Sequence, residues 1–195
     1  MEPLIKAIKI AVLLTLLLAA GANAAQGNGD SGQLRYEAKE HYRFNLGGDS
    51  GFYTDWERID LDGFDGVTAT VDIQKAYGKP TDKWASIARI NLFGAGDRKD
   101  RPVLGLVLEV DRKTNVVEAS IYRGNDKPRE GFDLKLPVGK PFNVSILASA
   151  PGKLLVTLEK ATYEVPYDFD IKSLSAVGSG IDVKFEPFNL LKRAP

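Results

Sequence analysis

From residue 34 onward the chain alternates. In Val67-Thr68-Ala69-Thr70-Val71-Asp72-Ile73-Gln74 the odd positions are apolar and the even positions polar. Side chains of an extended strand point to opposite faces in turn, so this spacing predicts a strand with one buried face. Phe142-Asn143-Val144-Ser145-Ile146 and Ile181-Asp182-Val183-Lys184-Phe185-Glu186 repeat the pattern. Leu104, Leu106, Leu108 and Val110 line one face of another segment. Opposite them stand Gly105, Val107, Glu109 and Asp111, a face only partly polar, which predicts a central strand covered on both sides. Further strands are predicted at 42–46, 56–61, 84–93, 116–122, 154–159 and 162–165.

The separators are turn-formers: Gly47-Gly48-Asp49, Asp62-Gly63, Gly78-Lys79-Pro80, Gly94-Ala95-Gly96-Asp97 and Pro151-Gly152. Two hairpins are local. Val103–Asp111 and Val116–Tyr122 join across Arg112–Asn115, and Phe142–Ala148 joins Leu154–Glu159 across Pro151-Gly152. There proline sets φ for the first central position and glycine supplies a positive φ at the next. No long segment after residue 34 keeps a helical period; Asp170–Ala176 is predicted as one short helical turn. Many short strands at regular spacing predict one all-β domain over 34–190, a two-sheet sandwich or, alternatively, a closed barrel. Residues 25–33, polar and glycine-rich, read as a flexible lead-in and 191–195 as a tail. The expected core includes Val71, Ile73, Leu106, Leu108, Val144, Ile146, Val156, Val183 and Phe185.

The first residues follow another pattern. Lys6 and Lys9 flank the apolar run Ile10–Ala20, and Ala22-Asn23-Ala24 offers a small-residue cleavage site. This reads as a signal peptide over 1–24, which predicts a secreted or periplasmic protein. The run is shorter than the ~20 apolar residues that a membrane-spanning helix requires. Removing Lys6, Lys9 and Glu2 with it leaves 24 basic and 25 acidic residues from the full chain's 26 of each. A near-neutral balance supplies no global field for nucleic acid. The chain has no cysteine and one histidine, His41, which excludes disulfides, a cysteine nucleophile and a multi-histidine metal site within one chain.

The closing third carries a resemblance. Lys140–Ile146, the Pro151-Gly152 turn, Leu154–Leu158 and the ending Gly178–Leu190 are similar to the last strands of concanavalin A-like jelly rolls, the group of laminin G-like, galectin-like and laminarinase-like domains. The resemblance implies two curved antiparallel sheets with a concave face that often binds glycans. The family's site motifs do not carry over. Galectin-like sites use a histidine, asparagine and arginine cluster; here His41-x-Arg43-x-Asn45 has those types in a different order. Laminarinase-like hydrolases carry Glu-x-Asp-x-Glu on one strand; Glu109-Val110-Asp111 lacks the last carboxylate.

Several constellations bear on chemistry. Glu109 and Asp111 share one strand face and could divide acid and base work in glycosidic cleavage, which requires carboxyls ~5–9.5 Å apart. Their plainer reading is a solvated strand end. Asp60, Asp62 and Asp65, with Gly63 and Gly66, gather hard oxygens suited to calcium, though Leu61 and Phe64 among them read as core anchors at a turn. Trp56 and Trp84 could stack on sugar rings or fill the core. Arg89 and Asn91 share a strand face and, with Tyr122, make a candidate glycan face. The reading that follows is an exported, non-catalytic, lectin-like binding domain with a glycan partner and no required cofactor. Its alternatives are a polysaccharide hydrolase or lyase on the same fold, and a structural or partner-binding envelope protein.

Overall fold

The computed structural model describes residues 35–47, 54–79, 82, 85–96, 101–124 and 130–194. Twelve strands make up the regular structure of these residues: β1 (Tyr36–Leu46), β2 (Thr54–Asp60), β3 (Gly66–Ala76), β4 (Ser86–Phe93), β5 (Val103–Asp111), β6 (Val116–Arg123), β7 (Glu130–Pro137), β8 (Phe142–Ala150), β9 (Lys153–Leu158), β10 (Ala161–Pro166), β11 (Ser173–Ser179) and β12 (Ile181–Arg193). They form two antiparallel six-stranded sheets, ordered β1-β12-β3-β8-β9-β10 and β2-β11-β4-β5-β6-β7. This is a two-sheet jelly-roll sandwich, not a closed barrel.

Alternation explains the core. All nine residues expected inside, from Val71 to Phe185, are buried in one cluster between the sheets. Each fully buried Leu, Ile, Val or Phe contributes ~1.5–3 kcal/mol relative to an exposed one. β5 lies inside its sheet, and Val107 is fully buried although it faces away from this core. That bears out the two-sided cover expected of the Leu104–Val110 segment. Leu61 and Phe64 pack against the core at the β2–β3 turn, as the sequence predicted.

β12 departs from simple alternation. Phe185 and Phe188, three apart, would face opposite sides of a regular strand. Both are fully buried. The register explains it: Val71 pairs with Phe185 and Ala69 with Phe188, so Thr70 alone opposes Glu186 and Pro187. This β-bulge returns Phe188 to the core face, where its ring meets Phe44 edge-on at 5.0 Å. Pro187, which has no N–H to donate, occupies the irregular step.

Three boundaries are corrected. Asp170–Ala176 forms no helical turn; Ser173–Ser179 is β11, paired on both sides with β2 and β4. Its inward Leu174 and Ala176 alternate with serines, and hydrogen bonding to two neighbours outweighs that segment's modest strand propensity. Residues 191–193 are not a tail: β12 continues to Arg193, which pairs with Tyr36. β7 escaped the strand assignment, although Phe132 and Leu134 alternate with Asp133 and Lys135 and pack against the core.

Candidate functional site

The register brings four of the five predicted carbohydrate-binding residues, Trp56, Arg89, Asn91 and Tyr122, into two adjacent rows of the second sheet. One row runs Arg58–Ser175–Asn91–Gly105–Tyr122 across β2, β11, β4, β5 and β6. The next runs Trp56–Val177–Arg89–Val107–Ser120. Neighbouring Ile90, Leu106, Ile121 and Ala176 face the core, so Arg89, Asn91, Gly105 and Tyr122 belong to the opposite, outer face. Trp56 is placed here by backbone register only. Trp84 lies outside the described residues.

This outer face has a buried floor. Asn91 is 8% exposed, Ser175 2% and Ser173 1%. Half-buried Arg89, Tyr122 and Glu109 stand around it. Asn91 Nδ2 donates to Ser175 Oγ at 3.3 Å. Its Oδ1 accepts no hydrogen bond, and neither does Ser173 Oγ. Leaving a buried acceptor unmet costs ~1–3 kcal/mol. Gly105 makes room for the amide: a Cβ there would sit 2.5 Å from Asn91 Oδ1 and 3.6 Å from Tyr122 Cδ1. The Arg89 guanidinium carbon lies 5.8 Å from the Tyr122 ring centroid, within reach of a cation–π contact. The site thus combines a buried amide acceptor, a flat aromatic surface and a multivalent donor. Ser175 and Gly105 were missed by sequence reasoning. A glycine inside a strand signals close approach of another group; a serine in a serine-rich segment carries no such signal.

Glu109 lies one step along the same face, opposite Ile87 on β4 and Glu118 on β6. Asp111 shares its face but serves the β5–β6 turn. It accepts from the Lys113 N–H at 2.9 Å and the Thr114 hydroxyl at 2.7 Å. The Thr114 hydroxyl, then the Lys113 amide, holds its carboxyl below the usual carboxylate range. A carboxylate so held is a poor proton donor.

Two of the three aspartates of the β2–β3 turn pair with the protein's own cations. Asp60 pairs with Arg58 at 3.0 Å. Asp65 accepts from the Arg193 N–H at 3.1 Å, with Lys192 Nζ at 3.9 Å. At Asp62 it is the backbone carbonyl that is engaged, accepting from Lys192 at 3.1 Å. No group of three or more metal-ligating His, Asp or Glu occurs among the described residues. On β1, His41 bonds Asn189 at 2.7 Å and Arg43 pairs with Glu186 at 3.2 Å, so these two members of the His41-x-Arg43-x-Asn45 series both engage β12.

No protein-family model and no curated protein sequence matches the chain. Solved structures do. A fructofuranosidase variant from Schwanniomyces occidentalis, complexed with fructosylnystose, is similar over 80% of this chain and 34% of its own, with 6% identity and a TM-score of 0.52. The fructose complex of the enzyme from that organism gives 0.50 at the same coverage and identity. This chain therefore spans about a third of that enzyme's length. The carbohydrate binding module CBM66 from Bacillus subtilis covers 82% of this chain and 95% of its own, at 7% identity and a TM-score of 0.44. At such identities the fructofuranosidase matches establish a common fold.

Proposed function

We propose that this protein is an exported, non-catalytic carbohydrate-binding domain whose ligand lies on the outer face of the second sheet, over Arg89, Asn91, Gly105 and Tyr122. The observation that carries this reading is the buried Asn91 amide, whose Oδ1 accepts no hydrogen bond and lies where a side chain at Gly105 would stand. A sugar hydroxyl is a donor of the size and polarity that would satisfy it. The Tyr122 ring offers apolar area to the C–H face of a sugar ring, and Arg89 supplies further donors. Trp56, in the Arg89 row, and Trp84 are the remaining candidate platforms. The fold's occurrence in a fructofuranosidase solved with fructosylnystose supports the ligand class by analogy of architecture only.

The hydrolase reading is less well supported, because Asp111, the carboxylate proposed to work with Glu109, is taken up by the β5–β6 turn. Binding to a glycan array followed by titration calorimetry tests the proposal. Arg89→Ala or Asn91→Ala is expected to weaken the best glycan about tenfold, equivalent to ~1.4 kcal/mol. Glu109→Gln is expected to leave every measured property unchanged. Reducing ends released from a polysaccharide, and lost in Glu109→Gln, would replace this reading with the enzyme. Absence of any glycan affinity would favour a structural role.

Export rests on Lys6, Lys9, the Ile10–Ala20 run and the Ala22-Asn23-Ala24 site. Amino-terminal sequencing of protein recovered outside the cytoplasm is expected to start at Ala25. A soluble cytosolic product that keeps Met1 would refute export.

A further inference from the structure

The outer face of the first sheet carries two unbroken rows of contrasting chemistry. In one, His41, Asn189, Thr68, Ser145, Thr157 and Thr162 stand opposite one another across all six strands. Their core-facing neighbours Val67, Ile146, Val156 and Leu190 place this row on the outer side. The row is polarised. Asn189 Nδ2 donates to Thr68 Oγ1 at 3.3 Å, which turns Oδ1 toward His41 and makes His41 Nδ1 the donor at 2.7 Å. Thr157 and Thr162 share a hydroxyl hydrogen bond at 3.0 Å. Between these two groups Ser145 is 6% exposed, and its Oγ has no hydrogen-bond partner.

The adjacent row is apolar: Ala38, Leu191, Gly66, Leu147 and Leu155 align across β1, β12, β3, β8 and β9. The three leucines are half-buried. A Cβ on Gly66 would lie 2.8 Å from Leu147 Cδ2, so the missing side chain is what lets Leu147 lean across β3 and close the strip. The carboxylate at its β10 end, Glu164, is neutralised by Lys153 at 2.9 Å.

We infer that this strip is a second contact surface, for an uncharged, extended glycan chain lying across the strands. Strands spaced ~4.8 Å apart make the strip ~24 Å long, enough for several consecutive sugar rings. Each ring has an apolar C–H face, suited to the leucine row, and a rim of hydroxyls, suited to the amide and hydroxyl row. The two rows themselves carry no Lys, Arg, Asp or Glu side chain, and the flanking Lys153 and Arg43 are each paired with a carboxylate, which matches a neutral ligand. Three half-buried leucines are too few for the core of a protein interface, which buries ~800 Å² per partner. The inference is independent of the proposed site on the second sheet, because no residue is common to both.

The test uses the full-length chain, with microcrystalline cellulose, curdlan and chitin as neutral solids and alginate as a charged control. At least one neutral solid is expected to retain the protein, and alginate is not expected to compete. Leu155→Lys combined with Thr157→Lys should reduce retention at least tenfold. Leu155→Asn should reduce it less, with an unchanged melting temperature, since both positions alternate with core residues and face outward. Arg89→Ala should leave retention intact, which separates this surface from the first site. Retention unaffected by the lysine variant, failure to bind any of the three solids, or a concentration-dependent dimer abolished by that variant would each overturn the inference.

Discussion

Val144→Asp is expected to leave no folded protein at room temperature. Val144 is 2% exposed in the middle of the first sheet, paired with Ala69 on β3 and Leu158 on β9. Its side chain faces the second sheet and belongs to the common core. A carboxylate there loses its hydration and gains no cation. The penalty is several kcal/mol for a buried ion, against a net stability of ~5–15 kcal/mol for a typical domain. Circular dichroism and urea titration read the result directly. A wild-type unfolding transition would mean that the β8 face is assigned the wrong way round. The contrast is Thr157 on β9, whose outward position should tolerate even lysine.

Gly105→Ala is expected to remove glycan binding while sparing the fold. The backbone of Gly105 is not in the left-handed region, so a methyl group meets no conformational barrier. It meets Asn91 instead, and the short amide must swing away from the added carbon. The strand gains ~0.5–1 kcal/mol when alanine replaces glycine. Losing the Asn91–Ser175 hydrogen bond costs ~0.5–1.5 kcal/mol. The two nearly cancel, and the melting temperature should move by only a few degrees. Affinity for the glycan should fall at least tenfold, because the acceptor that the ligand satisfies has been moved. Unchanged affinity together with unchanged stability would show that the ligand does not use the Asn91–Gly105 space.

These two substitutions mark the difference between local and long-range information. Whether Val144 faces inward is legible in five residues, Phe142 to Ile146, because a strand's period of two is a local property. The same holds for Val71, Leu108 and Phe185, and for the turn at Pro151-Gly152, where Gly152 takes a φ of 74°. The chain therefore announced its β class, most of its strands and its core. Alternation was blurred where small polar residues fill a strand, as in Ser173–Ser179, and where a bulge resets the phase, as at Glu186-Pro187. Local reading failed there, and also at β7, where Phe132 and Leu134 do alternate with Asp133 and Lys135.

Arg89 and Asn91 share a face by their spacing alone. Their meeting with Tyr122 depends on β5, which inserts between β4 and β6 and presents Gly105 at the height of Asn91. Ser175 arrives from more than eighty residues away. The hydroxyl row on the first sheet likewise joins residues from six separate strands. Sequence alone determined which residues could face inward, because that choice follows from burial of apolar surface along each strand. Tertiary structure alone decided which outward residues became neighbours, because strand order and register arise from pairing across the whole chain, where a shift of one residue would turn every side chain to the other face.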